Sequence, residues 1–100
     1  MIEHYLLYKV AYIIDAAYKI NNSINFDFMI RDIGITFPDN RNGEYMKKTR
    51  MLEGIKKFMD RLVDYNFISG YKFRESKKAF ADNGLAGYEG VEIYSQNINE

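Results

Sequence analysis

Along Glu44 to Asn66, EYMKKTRMLEGIKKFMDRLVDYN, the apolar residues Met51, Leu52, Ile55, Phe58, Met59, Leu62 and Val63 recur at steps of three and four. That period puts their side chains on one face of a helix, and it predicts a long helix over about 44–66. Lys47, Arg50, Lys57 and Arg61 fall on a neighbouring flank, with the bare backbone of Gly54 between them. Glu53, Lys56, Asp60 and Asp64 form a mixed-charge strip on the other flank, where Glu53 and Lys57 are spaced for a favourable ion pair. Lys48 projects onto the apolar face itself, which is tolerable only where that turn protrudes beyond the core. The helix therefore has a greasy side for packing and a basic side for something negative.

A second helical pattern runs over about 2–20, with Ile2, Leu6, Val10, Ile13, Ala17 and Ile20 on one face. Tyr5, Tyr12 and Ala16 flank that face on one side, and Leu7, Ile14 and Tyr18 on the other. This arc is wider than one small core needs. Either the tyrosines cap the core with wet hydroxyls, or Tyr5, Leu7, Tyr8, Tyr12, Ile14 and Tyr18 form the interface of a homodimer, which is the reading preferred. Asn21-Asn22-Ser23 carries turn chemistry, and Ile24–Phe26 fits a short strand. A compact helix is expected over about 27–33, with Phe28, Met29 and Ile33 inward and Gly34 as a left-handed cap. The polar turn Thr36–Gly43 follows, with Asn42 as the expected cap of the long helix and Glu44 in its first turn. Alternation then predicts strands over about 67–74 and 90–95, joined by a loop punctuated by Asp82-Asn83-Gly84 and Gly87. The expectation is a single domain over 1–100, α+β, with three helices and a C-terminal two-stranded hairpin.

Composition is that of a globular chain: 47% hydrophobic and 28% charged, with no cysteine. The missing thiols exclude disulfides, thiolate zinc sites and cysteine nucleophiles. They fit a cytoplasmic location, as does an opening, MIEHYLLYKV, without a basic leader. No membrane span is expected, because Lys9, Asp15 and Lys19 interrupt the longest apolar run. Net charge is zero, yet it is unevenly placed. Residues 41–80 hold eleven basic and five acidic side chains, whereas the last twenty residues carry four acids and no base. A gathered basic charge of this kind is an electrostatic footprint for nucleic acid.

The leading turns of the long helix, with Tyr45, Lys47, Lys48, Thr49 and Arg50, precede the dense apolar run. Arg50 and Lys47 are suited to guanine edges, and Thr49 to a thymine methyl or a phosphate. Arg41 in the preceding turn and Lys57 further along suit phosphate, while Arg74, Lys77 and Lys78 are candidates for backbone or minor-groove contact from the hairpin. The competing reading is that these are solvated charges. His4 is the only histidine, so a metal site is not expected. No nucleophile elbow, phosphate-cradling glycine loop or dinucleotide fingerprint occurs, and neither an enzyme nor a cofactor is expected.

RMLEGIKKFMDRLVDYNFISGYKF from Arg50 to Phe73, FMIRDIGIT from Phe28 to Thr36, and GVEIY from Gly90 to Tyr94 together resemble the winged helix-turn-helix superfamily of DNA-binding proteins. Within it, the long turn followed by NGEYMKKTRMLEGI is similar to modules of plasmid and mobile-element replication initiators, and to centromere-binding partition adaptors. The resemblance implies three helices with a two-stranded wing, double-stranded DNA as partner, and Lys47, Lys48 and Arg50 as reading positions with Lys77 and Lys78 as wing contacts. It implies a role in replication initiation, partition or transcriptional repression on a mobile element, beside a replication or partition ATPase or GTPase. The alternative is a winged helix that docks on such a protein without reading DNA. The long hairpin with Glu75, Asp82 and Glu89 departs from the pattern and weighs against minor-groove insertion.

Overall fold

The computed structural model describes residues 2–16, 22–76 and 84–94. Its elements are α1 (Ile2–Ala16), β1 (Ser23–Asn25), α2 (Phe26–Ile33), α3 (Arg41–Asp64), β2 (Gly70–Glu75) and β3 (Tyr88–Tyr94). The expected continuation of α1 through 17–20 lies outside the described residues. α3 starts three residues earlier than the apolar period indicates, because Asn40, not Asn42, is its cap. Asn40 sits in extended backbone and its side chain accepts a 2.6 Å hydrogen bond from the Gly43 amide. At the other end Asn66 turns left-handed, and the amides of Tyr65, Asn66 and Phe67 take up the carbonyls of Arg61, Val63 and Leu62. These bonds spend 65–67 on closing the helix, so β2 begins at Gly70 rather than at Phe67.

The sheet has three antiparallel strands in the order β1-β3-β2, one more than the two-stranded hairpin expected. The extra strand is β1, whose Ile24 pairs with Val91 of β3. A short strand was expected at 24–26, but its place in the hairpin sheet comes from pairing with a strand almost seventy residues away. Gly90 makes this pairing possible: a Cβ there would stand 2.4 Å from the Ile24 carbonyl oxygen. We expect Gly90→Ala to lower stability by about 1–3 kcal/mol, the usual cost of forcing atoms into a filled site. Urea unfolding would measure it, and an unchanged midpoint would show that β1 yields freely.

One core joins all the layers. It contains Leu6, Val10 and Ile13 of α1, Ile24 of β1, and Phe26 and Met29 of α2. Ile55, Met59 and Leu62 of α3, Val91 and Ile93 of β3, and the loop residues Ile68 and Leu85 complete it. Asn25 caps α2, accepting from the Phe28 amide at 3.0 Å, and so Phe26 opens the helix instead of ending a strand. Phe26, Met29, Ile30 and Ile33 then form the inward line. Phe28, expected inside, is 54% exposed because it points about 160° away from Ile30's side of the helix wheel. Gly34 adopts the left-handed cap, φ 81°, that its position predicts, returning its amide to Ile30 and Arg31.

Two tyrosines tie elements together through carboxylates. The Tyr71 hydroxyl of β2 donates to Asp60 of α3, and that of Tyr5 on α1 donates to Asp32 of α2 at 3.0 Å. Burial, then the hydrogen bond to the carboxylate, pushes each phenol up to about 12 from its ordinary 10.0. A raised folded-state value means that the folded chain holds these protons more tightly than the unfolded one. The resulting stability is full below the unfolded value near 10.0 and is lost as pH rises through about 12. Tyr71→Phe is expected to flatten the alkaline fall in unfolding midpoint, and a fall as steep as the parent's would remove this pair from the explanation.

Candidate nucleic-acid interface

α3 divides in two by burial. From Arg41 to Arg50 no side chain is buried, and the first buried residue is Ile55, followed by Met59 and Leu62. Asn40 starts the helix well before the core needs it, so its leading turns extend past the packed layers. Arg41 and Arg50 are exposed there, as are Tyr45 at 64% and Met46 at 52%.

The two lysines of these turns are held inward. The Lys47 ammonium donates to the Thr36 carbonyl oxygen and lies 5.4 Å from the centre of the Phe37 ring. The Lys48 ammonium stands 3.0 Å from Glu44 Oε1, one helical turn back, and 5.2 Å from the same ring, with its side chain only 13% exposed. Phe37 is thus flanked by two cations, an arrangement that favours both through the negative face of the ring. Its place in the long polar turn is what makes Lys48 tolerable on the apolar face. The Thr49 hydroxyl donates to the Tyr45 carbonyl at 2.9 Å, within its own helix.

Further along α3, Lys57 is exposed, and the Arg61 guanidinium lies 3.9 Å from Glu3 of α1. Arg50 lines a largely apolar groove of about 470 Å³ between α1 and α3, with Ile2, Leu6, Met51 and Gly54. The groove opens beside Gly54, which has no heavy atom within 4 Å of where a Cβ would sit. On the hairpin, Arg74 is 3.6 Å from both Glu89 and Glu92 of β3. Its charge is balanced within the sheet. Lys77 and Lys78 lie outside the described residues.

The residues expected at a homodimer interface separate into two groups. Leu7 and Tyr8 stand 50% and 71% exposed on α1, and Tyr12, 56% exposed, is turned toward α2. Ile14 packs against the core, and Tyr5, half-buried, is engaged with Asp32. Tyr18 lies outside the described residues. His4 is exposed, and no group of acids and histidines among the described residues is arranged to hold a metal ion. Among the described residues no helix is long and apolar enough to cross a membrane. Sequence reasoning missed Phe37 as the partner of both lysines, and Met46 as an exposed apolar residue of the leading turns. A lone phenylalanine beside Pro38 in a polar turn was the available signal for the first. No family model matches the chain, and neither the curated proteins nor the solved structures include one that matches it.

Proposed function

We propose that this chain is a winged helix that binds double-stranded DNA through the leading turns of α3. One observation carries the reading: the ten residues Arg41 to Arg50 extend beyond the core with no buried side chain and present Arg41, Tyr45 and Arg50 outward. A helix with one exposed side is what a major groove about 12 Å wide admits. The element order, with β1-β3-β2 antiparallel, is compatible with this fold. Arg50 is proposed to bond guanine, Tyr45 to pack on base or sugar, and Arg41 and Lys57 to meet phosphate. Lys47 and Lys48 take a different role from the one their charge suggests. They brace the leading turn against Phe37 and the Thr36 carbonyl, and so aim Arg50 and Tyr45. Arg74 is proposed to hold the hairpin together rather than to touch DNA.

Biologically, the reading is sequence-specific binding in replication initiation, partition or repression on a mobile element. It is tested by selection of bound duplexes from a random pool, followed by titration of the enriched sequence at several salt concentrations. Binding is expected to weaken as salt rises, with a slope of about 0.9 per phosphate neutralised. Absence of any enriched sequence, together with salt-insensitive binding, would overturn it.

A second reading, a module that docks on another protein, is favoured by Leu7 and Tyr8, which stand exposed on α1. The same residues would serve a homodimer, in which two copies of α3 reach successive half-sites about 34–36 Å apart. Sedimentation of the free chain and of Tyr8→Glu distinguishes the two. A dimer that Tyr8→Glu converts to monomer supports the paired reader, and a monomeric parent supports docking on a different chain.

A further inference from the structure

Away from α3, a cleft of about 510 Å³ opens between α1, α2 and the β1–β3 side of the sheet. Its size lies within the range of about 300–1,000 Å³ typical of small-molecule sites. Three aromatic side chains line it, Tyr5 and Tyr12 from α1 and Phe28 from α2, together with Lys9 and Arg31. The Lys9 ammonium lies 5.4 Å from the Tyr5 ring centre, and the Arg31 guanidinium 4.8 Å from that of Phe28. Among the described residues neither cation makes an ion pair.

One of the two carboxylates at this cleft is paired with a cation, and the other keeps its charge. Asp32 accepts the Tyr5 hydroxyl, and Glu89 pairs with Arg74. With Arg74 set against Glu89, Lys9 and Arg31 outweigh the single charge of Asp32, and the two cations sit on the opposite helices that wall the opening. Phe28 makes the same point from the apolar side. Its place on α2 exposes it, against the burial that its size favours, and the space it faces is this cleft.

We propose that the cleft binds a small aromatic anion, a planar ring carrying a carboxylate or a phosphate. The ring would lie against Phe28 and Tyr12, exchanging water for aromatic contact. The anionic group would take the guanidinium of Arg31, whose paired N–H donors suit either oxyanion, with the Lys9 ammonium opposite. None of these residues belongs to α3, so this proposal and the DNA reading stand or fall separately.

Nuclear magnetic resonance titration of the full chain tests it. The ringed anions are phenylacetate and adenosine monophosphate. Acetate and inorganic phosphate serve as anions without rings, and phenylacetamide and adenosine as rings without charge. Saturable shifts are expected at Tyr12, Phe28 and Arg31 with at least one ringed anion. Saturation by phenylacetate alone assigns an aromatic acid, and by the nucleotide alone a nucleotide. Arg31→Gln and Lys9→Gln are each expected to weaken that binding about tenfold or more, the worth of a hydrogen bond to a charged group. Lys56→Gln, on the exposed face of α3, is expected to leave it unchanged. Saturation by neither ringed anion would overturn the proposal. So would equal affinity for acetate or phosphate alone, or unweakened binding in both cleft variants.

Discussion

Arg50→Ala is expected to weaken binding to the selected duplex by about 1–3 kcal/mol, the discrimination carried by one bidentate contact to guanine. Because 1.4 kcal/mol is tenfold, the loss corresponds to about 5–150-fold in affinity. The argument rests on placement. Arg50 is exposed, lines the α1–α3 groove together with Glu3, and makes no ion pair among the described residues. Its side chain gives up no internal partner to reach a base. Lys57→Ala, on the same flank but further from the leading end, should cost less and equally for all sequences, since a phosphate contact carries no base information. Lys48→Ala is the informative contrast. Its ammonium already pairs with Glu44, so its removal should loosen the turn by a few tenths of a kcal/mol, about the worth of an i,i+4 pair, and should not relax base preference. Fluorescence anisotropy with the selected site and with a site altered at one base pair separates these effects. Parent-like binding by Arg50→Ala at matched salt would rule out the leading turns as the reading element.

Phe26→Ala should be the most damaging single truncation of the fold, with an expected loss of about 3–5 kcal/mol. Phe26 is fully buried, opens α2 directly after the β1 strand, and meets the Phe73 ring of β2 at 6.2 Å between centres. Phe73 in turn contacts Tyr71 at 5.5 Å and Tyr88 at 5.6 Å, so one side chain anchors an aromatic row across β2 and β3. A domain of this size has a total stability of roughly 5–15 kcal/mol, so the variant would approach unfolding. Phe26→Leu keeps most of the volume and should lose less than about 1.5 kcal/mol. Urea denaturation reads both, with the slope checked for constancy so that midpoint shifts report stability. If alanine and leucine cost the same, the loss does not come from the cavity and the packing account of this joint is wrong.

The placement of α1 and α3 was legible because each carries an apolar line several turns long. Leu6, Val10 and Ile13, or Ile55, Met59 and Leu62, announce a helix whatever surrounds it. By contrast α2, only about two turns, is placed by its flanking Asn25 and Gly34. The boundaries were less legible, since they depend on which asparagine captures a free amide. Asn25 and Asn40 do so, and Asn42, two residues from the true cap, has the same chemistry. β1 was legible only as a short apolar step. A three-residue strand has no period to count, and its identity comes from Val91 lying opposite Ile24.

The candidate interface divides along the same line. Sequence alone determined that basic residues gather in 41–80, that the leading turns of the long helix lack core residues, and that no thiol chemistry is available. These properties are local or additive and survive any arrangement of the chain. Tertiary structure decided which charges remain free to act. It folded Thr36 and Phe37 back onto Lys47 and Lys48, set Glu89 and Glu92 against Arg74, and left Arg41 and Arg50 outward. The physical reason is that a cation's availability depends on partners brought from distant segments within a few ångströms, and sequence spacing does not encode that distance.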